Sequence, residues 1–293
     1  MANEQEQQFR TLISCSQLAD ALSATDGSDT SSLRIVDCRF DLGDTEAGRS
    51  AYTHSHIPGA AYAHLDEDMS GPIVPGRTGR HPLPDSELFA RTVARLGISN
   101  HTQVVLYDAS GGSMASRMWW MLRWVGHEAV AVLDGGWEAW TAAGLPTHGG
   151  EETPPPGSFS ASPRPELVVD AAEMLAKTAS GGALVIDARG ADRFRGENET
   201  HDPIGGHIPG ASNLPHTGNL HDGLFRDPAV LAARFSELMG NRPPSEVIFY
   251  CGSGVSACHN ALALEHAGLG EARLYPGSWS DWITDPTRPV SQG

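Results

Sequence analysis

Cys251 stands directly after the apolar run Val247-Ile248-Phe249-Tyr250 and before the small-residue stretch Gly252-Ser253-Gly254-Val255-Ser256. A strand that ends in a tight glycine-containing loop and then a helix turns successive backbone N–H groups, and the positive end of the helix dipole, toward one point. An anion is stabilised there. With a cysteine at the head of the loop that anion is its thiolate, a nucleophile. The plainer reading is a small buried hydrophobe, the commoner fate of a free cysteine. The junction position, the glycines at 252 and 254 and the polar Ser253 and Ser256 weigh against it. Cys258, about two turns into the following helix, reads as a core residue.

The elements that would position this cysteine occur twice. LRIVDCR, HSHIPGA, VVLYDASGGSMASR and VLDGGWEAW in the first half match ALVIDAR, GGHIPGA, VIFYCGSGVSACHN and LYPGSWSDW in the second, in the same order. Asp37 pairs with Asp187 at an offset of 150, His56 with His207 at 151, Tyr107 with Tyr250 at 143 and Trp137 with Trp279 at 142. Ordered matches at such similar offsets read as tandem copies of one domain, over residues 9–145 and 166–290. Residues 146–165, dense in Pro, Gly and Ser and without periodicity, read as the linker. In this alignment Asp108 falls where the second copy has Cys251, so only the carboxyl-terminal copy can do thiol chemistry there. A carboxylate also suits a nest of N–H groups, so Asp108 is expected to keep the loop shape without the nucleophile.

Within each copy short apolar runs alternate with amphipathic stretches. LRIVD, ALVID, QVVLY and EVIFY are apolar without alternation, as strands of a parallel sheet covered on both faces are. Helices are predicted to start at Asp85 and Asp227 and to end at Gly97 and Gly240. The class is α/β, each domain a mainly parallel sheet with helices on both faces. In such sheets chemistry collects at the carboxyl ends of the strands.

Charge and composition exclude several function classes. Acidic side chains number 36 against 20 basic ones, a formal charge of -16 that repels a phosphate backbone or an anionic membrane surface. No stretch reaches the roughly 18 apolar residues of a membrane span, and MANEQEQQFR has no basic region followed by an apolar core. A cytoplasmic protein that binds neither nucleic acid nor membrane is expected. The four cysteines lack zinc-site spacing and are too few for a disulfide scaffold. Thirteen histidines show no H-E-x-x-H arrangement, and G-S-G-V-S-A is only a fragment of a dinucleotide fingerprint. Neither metal nor cofactor is expected.

The paired V-D-x-R and H-I-P-G-A blocks, the C-G-S-G-V-S-A loop and the terminal Y-P-G-S-W-x-D-W resemble the two-domain rhodanese family of sulfurtransferases over essentially the whole chain. The resemblance implies two rhodanese domains of which the second is catalytic. Its cysteine takes a sulfane sulfur from a donor, holds it as a persulfide and gives it to an acceptor. It places the persulfide on Cys251, the active-site loop on Gly252, Ser253, Gly254, Val255 and Ser256, and the donor-binding arginine on Arg193. The family's 3-mercaptopyruvate enzymes carry a second arginine a few residues on, where this chain offers Thr200 or His201, with Arg195 as a partial substitute.

Thiosulfate-using members carry basic side chains in the loop after the cysteine, as suits a dianion. This loop has none, leaving backbone dipoles and Arg193, an arrangement suited to the monoanionic carboxylate of 3-mercaptopyruvate. Departure of sulfur from that donor leaves an enolate to be protonated. Ser253 is the candidate relay, and the resemblance suggests a histidine of the first domain behind it. His56 matches it, with Asp44 the nearest acid. The architectural reading of His56 stands beside this, because His207 occupies the same motif with no evident task. Asp37/Arg39 and Asp187/Arg189, repeated in both copies, read as structural ion pairs, and the tryptophans at 137, 140, 279 and 282 as packing beneath the loop.

The expected function is therefore sulfur transfer from 3-mercaptopyruvate to a thiol or cyanide, with thiosulfate:cyanide transfer as the alternative. Thioredoxin, glutathione and cyanide are all chemically competent acceptors. A cysteine phosphatase would need an arginine at the sixth position after Cys251, which is Ala257. A non-enzymatic persulfide relay to a protein partner would use the same thiolate.

Overall fold

The computed structural model describes residues 8–24 and 32–293. Residues 1–7, part of the stretch read for a leader, lie outside them. The first half holds β1 (Leu12–Ile13), β2 (Leu33–Asp37), β3 (Ala61–Tyr62), β4 (Gln103–Tyr107) and β5 (Val130–Leu133). Its helices are α1 (Cys15–Ala24), α2 (Ala47–His54), α3 (Leu65–Asp68), α4 (Ser86–Arg95), α5 (Ser113–Trp124) and α6 (Gly136–Ala142). The second half holds β6 (Leu184–Asp187), β7 (Ser212–Asn213), β8 (Leu220–His221), β9 (Leu224–Phe225), β10 (Val247–Tyr250) and β11 (Arg273–Leu274). Its helices are α7 (Ala171–Ser180), α8 (Ala191–Arg195), α9 (Pro228–Met239), α10 (Ser256–His266) and α11 (Ser278–Trp282).

The two sheets, β1-β5-β4-β2-β3 and β11-β10-β6-β7, are wholly parallel, and β8–β9 forms a small antiparallel hairpin. The four apolar runs read as strands are β2, β4, β6 and β10, with equivalent pairing of β2 to β4 and of β6 to β10. Asp85 caps α4 by accepting the N–H groups of Glu87 and Leu88, and Asp227 caps α9 through that of Ala229. Gly97 and Gly240 follow these helices with positive φ, as the sequence predicts.

Alternate residues of each strand serve opposite faces. Val104 and Leu106 of β4 pack with α4 and α5, and Val105 and Tyr107 with Leu18 of α1 and Trp140 of α6. In the second sheet Val247 and Phe249 face α9 and α10, whereas Ile248 and Tyr250 face Met174 of α7 and Trp279 and Trp282 of α11. The α4–α5 and α9–α10 faces merge into one apolar cluster through contact of α5 with α10. The two sheets are thereby cemented back to back, and the loop before α5 lies close to the loop before α10.

The repeated motifs are architecture. Arg39 binds Asp37 through Nε and Nη2 and donates to Ser55 O; Arg189 does the same with Asp187 and Gly206 O. These guanidiniums lie 4.4 Å from the ring of Trp137 and 4.9 Å from that of Trp279. Each His-Ile-Pro-Gly turn is tied to the strand of the same copy by a tyrosine hydroxyl, Tyr107 to Ile57 N and Tyr250 to Ile208 N.

Candidate active site

Cys251 follows β10 and is only 1 % exposed. Its backbone N–H donates to Ser278 Oγ at 3.1 Å, and its carbonyl accepts from Trp279 N. Ser278 is held at φ 56°, a conformation rare outside glycine, and its own hydroxyl donates to Tyr275 O. The loop then curls over the sulfur: Gly254 N–H donates to Cys251 Sγ at 3.2 Å. Gly254 has φ 80°, and a Cβ there would meet Pro276 O at 2.2 Å, so no other residue fits. Val255 ends the loop and Ser256 begins α10, which directs its dipole at the sulfur.

The first-copy loop differs in one decisive respect. Asp108 Oδ1 accepts the N–H groups of Ser110 and Gly112, and Oδ2 those of Met114 and Ala115, at 2.7–2.8 Å. The nest is therefore filled by the chain's own carboxylate.

The histidine beside Ser253 is His81. Its Nδ1 lies 2.8 Å from Ser253 Oγ, and its Nε2 lies 3.3 Å from Asp66 Oδ1 of α3. His56, expected in this place, is fully buried elsewhere: it stacks on Tyr52, its Nδ1 bonds Tyr52 O, and its Nε2 lies 3.7 Å from Glu152. His207 makes the equivalent bond to Phe194 O and stacks on that ring. Both histidines brace their turns. Asp44 likewise belongs to the turn before α2, where it accepts Glu46 N–H and supplies no relay acid.

Burial, reinforced by Arg117 and Arg80, pushes the His81 imidazole down to about 3. It is thus neutral throughout the physiological range, with a single ring proton. With that proton on Nε2 toward the Asp66 carboxylate, Nδ1 is free to accept from the Ser253 hydroxyl. Since His81 gains its charge only near pH 3, lowering the pH from 8 to 5 leaves its state unchanged. The pH profile of kcat is expected to show no histidine limb near 6–7; a limb there that is absent in His81→Gln would refute this.

Positive charge reaches the loop from both halves. A Cβ on Gly252 would sit 3.0 Å from Arg80 Nη2 and 3.3 Å from Arg193 Nη2, so the two guanidiniums converge above this residue. Arg193 is held by Glu199 through Nε and Nη2 and lies 3.5 Å from Asp202, which also pairs with Arg80. Burial would raise the Glu199 carboxyl, but the bonds from Arg193 and from backbone N–H groups hold it below its ordinary range. The second guanidinium therefore comes from the first domain. Arg195 points away into an exposed pair with Glu197. His201 lines a cavity of about 300 Å³ with Arg80, Asp202 and Ser280. That the loop's neighbourhood contains Arg193 as its only cation is thus corrected: Arg80 stands beside it.

Cys258 is fully buried, donates to Gly254 O at 3.3 Å, and is pushed up to about 12 by burial; it remains a thiol. Among the described residues, Glu46, His64 and Glu67 lie close enough together to suggest a metal site. Both ring nitrogens of His64 are already engaged, by Thr45 O and by the N–H groups of Asp66 and Glu67, and Arg49 pairs with both glutamates. Among the described residues no helix is long and apolar enough to cross a membrane.

The rhodanese-like domain model matches twice, at residues 17–143 and 170–285. A probable 3-mercaptopyruvate sulfurtransferase of Pseudomonas aeruginosa is 48% identical, covering 96% of this chain and 98% of its own. A putative thiosulfate sulfurtransferase, SseB, of Mycobacterium tuberculosis is 38% identical over 97% of this chain and 98% of its own. Among solved structures, the 3-mercaptopyruvate enzyme SseA of Escherichia coli superimposes with a TM-score of 0.79 at 32% identity, covering 93% of this chain and all of that one.

Proposed function

This chain belongs to the rhodanese family and is a sulfurtransferase, and we propose that its sulfur donor is 3-mercaptopyruvate and its sulfur carrier is Cys251. The supporting observation is the Ser253–His81–Asp66 chain beside the thiol. Thiosulfate releases sulfite, which leaves without needing a proton, whereas 3-mercaptopyruvate releases a carbon anion that must gain one.

In this reading the donor carboxylate lies against Arg193 and Arg80 above Gly252. The Cys251 thiolate attacks the donor sulfur; the S–S bond forms as the C–S bond breaks, and the electron pair leaves on carbon as the enolate of pyruvate. The two sulfurs of the new S–S bond together give up the two electrons that the carbon gains, and the outer one, from the donor, is the sulfane sulfur. Neutral His81 stores no extra proton, so the proton that reaches pyruvate is the donor's own S–H proton. Ser253 Oγ accepts it while passing its hydroxyl proton to His81 Nδ1; as Ser253 then gives a proton to carbon, His81 returns its own to Oγ, and both side chains end neutral. What remains is the Cys251 persulfide anion and pyruvate, with charge conserved. A thiol acceptor, such as that of thioredoxin, or cyanide then removes the outer sulfur. The four cysteines are unpaired, as a reducing compartment maintains them, which supports placing the protein in the cytoplasm.

The paired guanidiniums favour one second reading, because two cations also suit the dianion thiosulfate. Steady-state rates with both donors and cyanide as acceptor decide. Higher kcat/KM for 3-mercaptopyruvate is expected, and a clear preference for thiosulfate would overturn the donor while leaving sulfur transfer intact. In the same assay Arg80→Ala is expected to raise KM for 3-mercaptopyruvate about tenfold with a smaller change in kcat, the signature of lost carboxylate binding. An unchanged KM would remove Arg80 from the donor site. Persulfide transfer to a protein partner without turnover of small donors would favour a relay instead.

A further inference from the structure

We propose that Arg117, in the first domain, is a positioning residue for sulfur transfer: its buried guanidinium locks the Cys251 loop to the relay and provides the positive charge against which the sulfur anion forms.

Arg117 lies in α5 and is wholly buried. Nη1 donates to Gly254 O at 2.9 Å, and Nη2 donates to His81 O at 3.1 Å and Met69 O at 3.3 Å. Those three carbonyls belong to the cysteine loop, to the residue that meets Ser253, and to the residue closing α3, which carries Asp66. One planar group thus ties the cysteine loop, His81 and the end of α3 together, as its fixed fork of donors allows.

The charge is the second observation. Among the described residues no carboxylate lies within ion-pair distance of Arg117, and its Nε has no partner. A buried cation is destabilising unless an anion compensates it. Burial depresses the guanidinium, and the groups that oppose this are the Cys258 and Cys251 sulfurs. Cys258 stays protonated, and Gly254, whose carbonyl Arg117 holds, donates its own N–H to the Cys251 sulfur, so the guanidinium stands one residue from the thiol that this proposal makes the anion.

The duplication supplies an internal comparison. Gly111 and Gly254 are equivalent at the loop offset of 143, and each carbonyl is held by the helix of the other domain. His259 of α10 binds Gly111 O at 3.0 Å, and Arg117 of α5 binds Gly254 O. The loop filled by Asp108 receives an imidazole that burial holds down to about 3, hence neutral. The loop with the cysteine receives a cation. At the position of Arg117 the second copy has Asn260, which bonds Leu214 O within its own domain. The helix charge differs between copies as the loop anion does.

The inference rests on Cys251 being the sulfur carrier, and its test needs no turnover. The rate at which iodoacetamide alkylates Cys251 at pH 7 is followed by mass spectrometry in Arg117→Gln, Arg117→Met and Arg117→Lys. Removing the charge is expected to slow alkylation about tenfold or more, and lysine to restore it to within about threefold of the parent. A purely structural Arg117 gives the opposite sign, since a loosened loop exposes a thiol that is now 1 % accessible and speeds alkylation. Unchanged or faster alkylation in the neutral variants overturns the proposal. Should neither neutral variant fold, Arg117→Lys decides: near-parental alkylation with kcat lowered about tenfold supports it, because an ammonium cannot span three carbonyls. Alkylation slowed tenfold in that variant overturns it. Absence of any sulfur transfer by the parent protein would instead refute the function, and leaves this readout interpretable.

Discussion

Cys251→Ala is expected to lose sulfur transfer by about 10⁴-fold or more with every donor, because Cys251 heads the loop whose Gly254 N–H donates to its sulfur, whereas burial pushes up the thiols of Cys15, Cys38 and Cys258. The residue is small and packed, so the substitution removes little volume, and thermal unfolding should move by only a few degrees. The direct measurement is the mass of the protein after incubation with 3-mercaptopyruvate. The parent gains one sulfur on the peptide containing Cys251, and the variant gains none. Finding the added sulfur on Cys258 or Cys38 would refute the assignment. Both are fully buried, and burial pushes both thiols up, Cys258 to about 12.

His81→Ala is expected to lower kcat with 3-mercaptopyruvate by about 10²-fold or more while leaving thiosulfate turnover within a few-fold, if that donor is used at all. The difference arises because only the carbon leaving group needs a proton. His81→Gln separates the two contributions of the ring: glutamine can hold the Ser253 hydroxyl but cannot take its proton, so it should resemble alanine in kcat. His56→Ala is the matched control. It removes a buried, stacked ring and should lower stability while leaving kcat nearly intact. An equal loss with both donors in His81→Ala would show that the residue supports the loop rather than a proton transfer.

Much of this arrangement is legible in the amino-acid sequence. The strands were apolar without alternation, the helix caps were aspartates, and the cysteine stood where a parallel sheet concentrates chemistry. Legibility ended at residues brought to the site from the other domain. Ser253 and His81 are 172 positions apart, a contact that no local pattern encodes. The repeat itself points away from the relay, since His56 stands in a motif found in both copies, and what both copies share must serve what both copies do. That common task is bracing a turn. In a duplicated fold with one active copy, chemistry belongs to what is not repeated. Aligned on the caps Asp85 and Asp227, Arg80 and His81 fall on Asp222 and Gly223. That mismatch was the available signal.

Asp108 adds one more consequence. A carboxylate sets an oxygen one bond beyond Cγ, just as a persulfide sets its outer sulfur one bond beyond Sγ. At the offset of 143, the four N–H groups that grip Asp108 become those of Ser253, Val255, Ala257 and Cys258. On the proposed assignment of the sulfur to Cys251, the first-domain loop is a template of the persulfide state, carrying in permanent covalent form the anion that the second-domain loop would acquire and surrender in each cycle.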